Sequence, residues 1–244
     1  MARIFITGSA DGLGQLAAKQ LVAQGHRVVL HARNAERAKL AMDNVPGADN
    51  ALVADLSNIE ETKKLAAEVN AIGQFDVIIH NAGVYQVAAN LTFAVNTLAP
   101  YILTALIHKP KRIIYLSSEL HMGGNPDLIN LDYKIDRTSY SDSKMQVLLL
   151  CKAVARKWPE VFSNAVDPGW VPTKMGGQGA PDNLEEGFQT QIWLAVSDDQ
   201  QARVSGRYFH HLKEAKYLAA TDDFHIQEKL LAICEQLSGI PFLK

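Results

Sequence analysis

The chain has 244 residues, 48% of them hydrophobic and 20% charged, with a formal net charge of -2. That length buries a full core, and the balanced charge leaves no basic footprint for nucleic acid. The longest unbroken apolar run, residues 147–151 (VLLLC), is far shorter than a membrane span. The first apolar run leads into glycines rather than a signal-peptide cleavage site. These features predict a cytoplasmic protein with neither nucleic acid nor a membrane as partner.

Residues 3–6 (RIFI) read as a buried strand. Apolar positions at Leu13, Leu16, Ala17 and Leu21 then predict a helix over about 13–24 that Gly25 stops. Residues 27–32 (RVVLHA) are a second strand, 35–44 a helix and 51–56 (ALVADL) a third strand. The helix expected over 59–72 carries Glu60–Lys64 and Glu61–Lys64 spacings suited to exposed ion pairs. Further strands are expected at 75–83, 112–118, 162–169 and 205–211. Strands apolar on both faces and separated by helices predict an α/β fold, a doubly wound parallel sheet of the Rossmann type, as one domain over 1–244.

Some residues read plainly. Cys151 and Cys234 lie in helical patterns and are expected to be buried thiols. His210 and His211 are adjacent and lack the spacing of metal ligands, so no metal is expected. The Gly/Pro-rich stretch 168–183 follows a strand end and predicts a mobile lid, with a substrate loop around 174–190.

Residues 7–14 (TGSADGLG) occupy the first strand-to-helix turn. Glycines there let the backbone turn tightly and approach a pyrophosphate, while the helix amino terminus supplies N–H donors and a positive dipole end. The strand 27–32 ends without the acid that would bind a ribose 2′-OH. Ala32 stands there, and Arg33 follows, a guanidinium able to hold a 2′-phosphate. NADP is therefore expected over NAD, with Asp11 inside the glycine loop as a counter-signal.

The spacing Gly8–Gly12–Gly14 resembles the short-chain dehydrogenase/reductase family. Six further motifs agree in order over residues 2 to about 175: ADLS (54–57), NAG (81–83), AVN (94–96), YLSS (115–118), YSDSK (140–144) and DPGWVPT (167–173). The long interval between YLSS and YSDSK is nearest to retinol-dehydrogenase-like and carbonyl-reductase-like members. The resemblance implies cofactor contacts from Gly8, Ser9, Gly12, Leu13 and Gly14, from Asp55 and Leu56 near the adenine, and from the turn Asn81, Ala82 and Gly83. It implies further contacts at the nicotinamide end from Pro168, Gly169, Val171 and Thr173. Asn96, Ser118, Tyr140 and Lys144 are the implied catalytic residues, with Tyr140 and Lys144 also touching cofactor and Asn96 holding a water. Helices around 96–106 and 145–158 are implied to pair into a homodimer or homotetramer.

Tyr140 and Lys144 stand four apart, on one face of a helix. A lysine ammonium beside a phenol favours the phenolate and makes the tyrosine a usable acid for a developing alkoxide. The resemblance implies that Ser118 rather than Ser117 polarises the carbonyl, since the second serine of such a pair acts in the family. Ser117 is then expected to face the core or the cofactor, as alternation along a strand predicts. His121 and Met122 are candidates near that carbonyl, and Trp170 near the nicotinamide or substrate. The expected activity is hydride transfer between nicotinamide and a carbonyl or alcohol. A cofactor-binding regulator or redox sensor without turnover is the rival expectation, and the complete set of catalytic residue types counts against it.

Overall fold

The computed structural model describes residues 1–129 and 135–242. Its frame is an eight-stranded sheet in the order β3-β2-β1-β4-β5-β6-β7-β8. β1 (Arg3–Ile6), β2 (Arg27–Ala32) and β3 (Asn50–Val53) form one half, and β4 (Val77–His80), β5 (Arg112–Leu116), β6 (Phe162–Asp167) and β7 (Tyr208–His210) the other. All pair in parallel. The exception is β8 (Lys213–Glu214), which runs antiparallel on β7. The strand order reverses between β1 and β4, so the crevice for a ligand opens there, beyond the carboxyl ends of the strands.

Strands buried on both faces need helices on both sides. α1 (Gly12–Ala23), α2 (Ala35–Asn44) and α7 (Leu184–Val196) cover one face, where Ala17, Ala18, Leu21, Ala41 and Ile192 pack with Ile4, Ile6 and Val28. On the other face, α3 (Ile59–Ile72) and α5 (Ala99–Leu106) pack on Phe5, Val29 and Ile78. Beside them α6 (Tyr140–Lys157) and α8 (Phe224–Ser238) enclose Ile113, Tyr115 and Trp158. α4 (Ala89–Phe93), a π turn (Ala94–Leu98) and α5 run on as one helical stretch. By length and composition this stretch, mean hydropathy 1.2, could cross a membrane, and 67% of it is buried inside the fold. Asn90, Thr92, Asn96 and Thr97 interrupt its apolar residues, which is why no long unbroken run marks it in the sequence.

Several element limits differ from the sequence expectation. α1 starts at Gly12 because Asp11 caps it, its carboxylate accepting from the Gly12 N–H. β3 ends at Val53 because the Asp55 carboxylate accepts from both the Ser57 N–H and hydroxyl, bending the chain. The expected substrate loop around 174–190 is irregular only to Asn183, whose side chain caps α7; residues 184–190 are helix. The expected ion pairs of α3 are replaced by Lys63–Glu60 at 2.8 Å and Lys64–Glu68 at 3.6 Å. Glu61 instead accepts from the Asp55 N–H at 2.7 Å. Cys151 and Cys234 are buried free thiols.

Beyond the β1–β4 ladder, a group of side-chain contacts fastens the two halves of the sheet at the switch point. The Asn81 side-chain amide, just past β4, donates to the Thr7 and Gly8 carbonyls, both at 3.0 Å, and the Thr7 hydroxyl accepts from the Ala82 N–H. This approach requires Gly14, where a Cβ would stand 2.3 Å from Asn81 Nδ2 and 2.7 Å from the Gly8 oxygen. Gly14→Ala is therefore expected to cost about 2 kcal/mol of folding stability through the displaced amide, read as a lower urea midpoint with an unchanged m-value.

Candidate active site

The glycine loop is shaped by its neighbours. Gly8 has φ +63°, and a Cβ there would lie 2.8 Å from Ala82 Cα. Above Gly12 (φ +53°) the space is open, a Cβ meeting only Thr173 at 3.8 Å. Gly12 thus presents bare backbone at the amino terminus of α1, where first-turn N–H groups point out of the helix end. This opening fits a pyrophosphate. Leu13 and the buried Val171 both lie against Gly187 of α7, which brings the loop after β6 down onto α1. Ser9 is fully buried; its hydroxyl donates to the Ile6 carbonyl and accepts from the His31 N–H, so it braces the loop from below.

His31, which sequence reasoning passed over, completes that brace. Its Nδ1 accepts from the Gly8 N–H at 3.0 Å, so Nε2 carries the proton and donates to the Ala54 carbonyl. Burial depresses this imidazole to about 4. A polar residue facing the core at the end of an otherwise apolar strand was the available signal.

At the edge of this loop lies a cluster of charge. Arg33 is exposed, while Arg37 of α2 and Lys174 of the loop after β6 reach Asp11 at 3.5 and 2.5 Å. Burial raises the Asp11 carboxyl, but Lys174, the Gly12 N–H and Arg37 outweigh it and hold it below its ordinary value. Asp55 is exposed and also lowered, chiefly by its bonds from Ser57 and with help from Arg33. The Leu56 side chain points into the core among Phe5, Val29 and Leu65, so only its backbone can face a ligand.

Tyr140 and Lys144 lie on the first turn of α6. That turn is set by a capping box, in which the Ser139 hydroxyl accepts from the Asp142 N–H and the Asp142 carboxylate accepts from the Ser139 N–H. Ser143 accepts from the Asn96 amide at 3.0 Å and donates to the Tyr140 carbonyl, linking α6 to the π turn. Asn96 is held on its other side as well, accepting from the Val84 N–H and donating to the Val84 carbonyl. Four residues on, Pro100 has no N–H to return to the Asn96 carbonyl, which accounts for the π turn at this point.

Lys144 is buried, and its ammonium donates to the Leu116 carbonyl at 2.8 Å while lying 5.4 Å from the Tyr140 ring centroid. Gly83 leaves room for it, since a Cβ there would be 3.5 Å from both Lys144 Nζ and Asn96 Oδ1. Burial lowers Lys144 to about 8, against the attraction of Asp167. Tyr140 is raised to about 12 by burial, then by Asp167 and Tyr85. Asp167 itself is 5% exposed; it accepts from the Gly169 N–H and stands 3.1 Å from His210 Nδ1, without the alignment of a hydrogen bond. A buried carboxylate closing an apolar strand was legible in the sequence but went unassigned.

The two serines part company as strand alternation demands. Ser117 is buried and donates to the Lys144 carbonyl; Ser118 is partly exposed, and its oxygen accepts from the Leu120 N–H. The expectation for His121 is overturned. It is fully buried, Nδ1 bonded to the Ser118 carbonyl and Nε2 accepting from the Leu218 N–H, so both ring nitrogens are spent inside the protein. Met122 is exposed, and Trp170 is exposed with its indole N–H given to the Gly176 carbonyl. Residues 130–134 of the long interval between YLSS and YSDSK lie outside the described residues. His210 and His211 stack at 3.7 Å, and among the described residues no cluster could hold a metal.

The short chain dehydrogenase family matches residues 2–183. The chain belongs to that family. It is therefore an NAD(P)-dependent oxidoreductase acting on small molecules. It is 46% identical to an uncharacterized oxidoreductase of Emericella nidulans over 98% of each chain, and 30% identical to retinol dehydrogenase 14 of Mus musculus over 97% of this chain and 86% of that one. Among solved structures, an uncharacterized protein from Mycobacterium paratuberculosis shares the fold at a TM-score of 0.84, with 22% identity over 100% of this chain and 96% of that one.

The buried imidazoles of this dehydrogenase give it a defined acid response. His31 is depressed to about 4 and His80 to about 3, both by burial, against 6.5 when exposed. The unfolded chain binds the extra protons, so their stabilisation is complete above pH 6.5 and is lost as pH falls toward 4. Each histidine is expected to remove about 1.4 kcal/mol per pH unit in that window. Urea midpoints between pH 7 and 4 should show this slope, and His31→Gln should flatten it.

Proposed function

We propose that the chain is an NADP-preferring reductase of carbonyls, or oxidase of alcohols in the reverse direction, with Tyr140 as the general acid/base. The observation that carries this reading is the joining of Tyr140, Lys144 and Asn96 beside Gly83 at the carboxyl edge of the sheet, where Lys144 donates to the last residue of β5 and Ser118 follows two residues on. When bound, the nicotinamide supplies or accepts the hydride. Tyr140 supplies the matching proton, so that the carbonyl becomes an alcohol, and takes one back in the reverse direction.

At neutral pH a phenol held near 12 stays protonated. It donates only as negative charge builds on the substrate oxygen, which is when a proton donor lowers the barrier. The Ser118 hydroxyl spends its oxygen on Leu120 and keeps its proton to offer the same oxygen. Lys144, cationic below its value of about 8, stabilises the phenolate left behind. Asn96 fixes the first turn of α6 through Ser143, and in this reading it holds a water that returns the proton.

NADP preference rests on Arg33 at a strand end without an acid, with Arg37 and Lys174 nearby. Asp11 is the opposing charge, and those two cations already offset it. The regulator reading lacks such support, because a binding protein has no need of a buried lysine beside a buried phenol.

Tyr140→Phe is expected to lower turnover of any reducible carbonyl by about a thousandfold or more, while the Kd for NADPH measured by fluorescence stays within about twofold. Arg33→Ala should weaken NADPH at least tenfold, as loss of a charge-assisted bond does, and NADH less than about twofold. Retained turnover in the first variant would sink the mechanism; an unchanged cofactor ratio in the second would move the 2′-phosphate elsewhere.

A further inference from the structure

Among the described residues, only three other than glycine have left-handed backbone: Gln86 (φ 55°), His211 (φ 45°) and Leu212 (φ 65°). Such strain persists where the surrounding structure enforces it, and it collects at functional sites. All three lie in loops at the carboxyl edge of the sheet, after β4 and after β7. Apolar side chains in these same loops reach solvent beside the exposed Gln86. Tyr85 and Val87 flank Gln86 and are exposed, as is Leu212.

The loops between them do the same. Leu120 follows β5, and Trp170, 60% exposed, follows β6. Among the described residues, seven of the twelve large hydrophobic side chains left exposed lie in these four loops, although much of the surface lies elsewhere. Nor are they loosely held. Trp170 is tied by its indole N–H to Gly176 and by its backbone N–H to Asp182, and the Leu212 N–H is given to Thr190. Tyr85 packs edge-on against the Tyr140 ring, centroids 4.8 Å apart, so one member of this apolar set touches the phenol that would react.

We propose that the exposed apolar side chains of these carboxyl-edge loops, which meet the Tyr140 ring through Tyr85, together form a collar that receives the body of the substrate, and that the substrate is a carbonyl compound carrying an uncharged, ring-sized aromatic or alicyclic group. This rests on the reductase reading above. Contact with Tyr140 decides the occupant, because a second copy or a membrane seated here would close the approach to the phenol. The acids around the mouth, Glu119, Asp182 and Glu186, disfavour a substrate with a negatively charged body.

The test measures binding first, which is independent of turnover. Acetone, cyclohexanone and 2-acetylnaphthalene are compared by equilibrium dialysis against protein saturated with NADP⁺. Kd should fall at least tenfold from cyclohexanone to the naphthyl ketone. Val87→Ser and Leu212→Asn should each raise the naphthyl Kd by about threefold to tenfold without altering NADP⁺ affinity; asparagine keeps the left-handed backbone and removes only the apolar group. A Kd that does not follow ring size, or that neither variant moves, overturns the collar. So does sedimentation in which Leu212→Asn dissociates a self-assembled species while ketone binding is unchanged. Binding that follows ring size without NADPH-driven reduction of any member keeps the collar and removes the reductase reading instead.

Discussion

A single asparagine amide holds this protein's binding crevice together. Asn81 leaves β4 and donates to two carbonyls of the loop after β1, which are the strands between which the sheet reverses direction. It adds to the β1–β4 ladder and to the bond between the Ala82 N–H and the Thr7 hydroxyl, and extends that joint past the strand ends. The amide can reach only because Gly14 has no side chain, and Gly8 must be left-handed to clear Ala82. Two of the three glycines in the loop are thus demanded by the protein's own packing. Only Gly12 faces open space, and there the backbone is left for a ligand.

The catalytic end is built on a similar economy of anchors. Ser117 and Lys144 tie α6 to β5, while Asn96 and Ser143 tie it to the π turn. Each of these polar groups is buried and paired, and an unmade bond at any of them would be costly. Tyr140 therefore stands on a turn fixed from two sides, while its own ring is packed only by Tyr85 and the lysine cation.

Much of this was legible before any coordinates. Glycine spacing, strand-then-helix alternation and the Tyr140–Lys144 interval are local signals, and α1, α2, α3 and most strands follow them within a residue or two. What escaped the sequence depended on distant partners. His31 is a brace because Gly8 and Ala54 converge on its two nitrogens. His121 could be taken for a pocket residue because Leu218, 97 positions away, gives no local hint that it occupies the ring. The ion pairs of α3 went elsewhere because exposed lysines choose among neighbours whose energies barely differ. β8, only two residues long, carries no pattern to read. The strained turns were invisible too, since Gln86 and Leu212 are poor candidates for left-handed backbone by residue type.

The His121 clamp has a wider meaning. The stretch shared with the family ends at residue 183, yet Leu218 lies well beyond it. Through one imidazole, the carbonyl of Ser118 and the backbone of the carboxy-terminal region are fastened to a common point. A residue outside the family match is thereby wired to a serine inside it. The tail can change in sequence and leave Ser118 held as it is, so long as it still offers one backbone N–H to that imidazole.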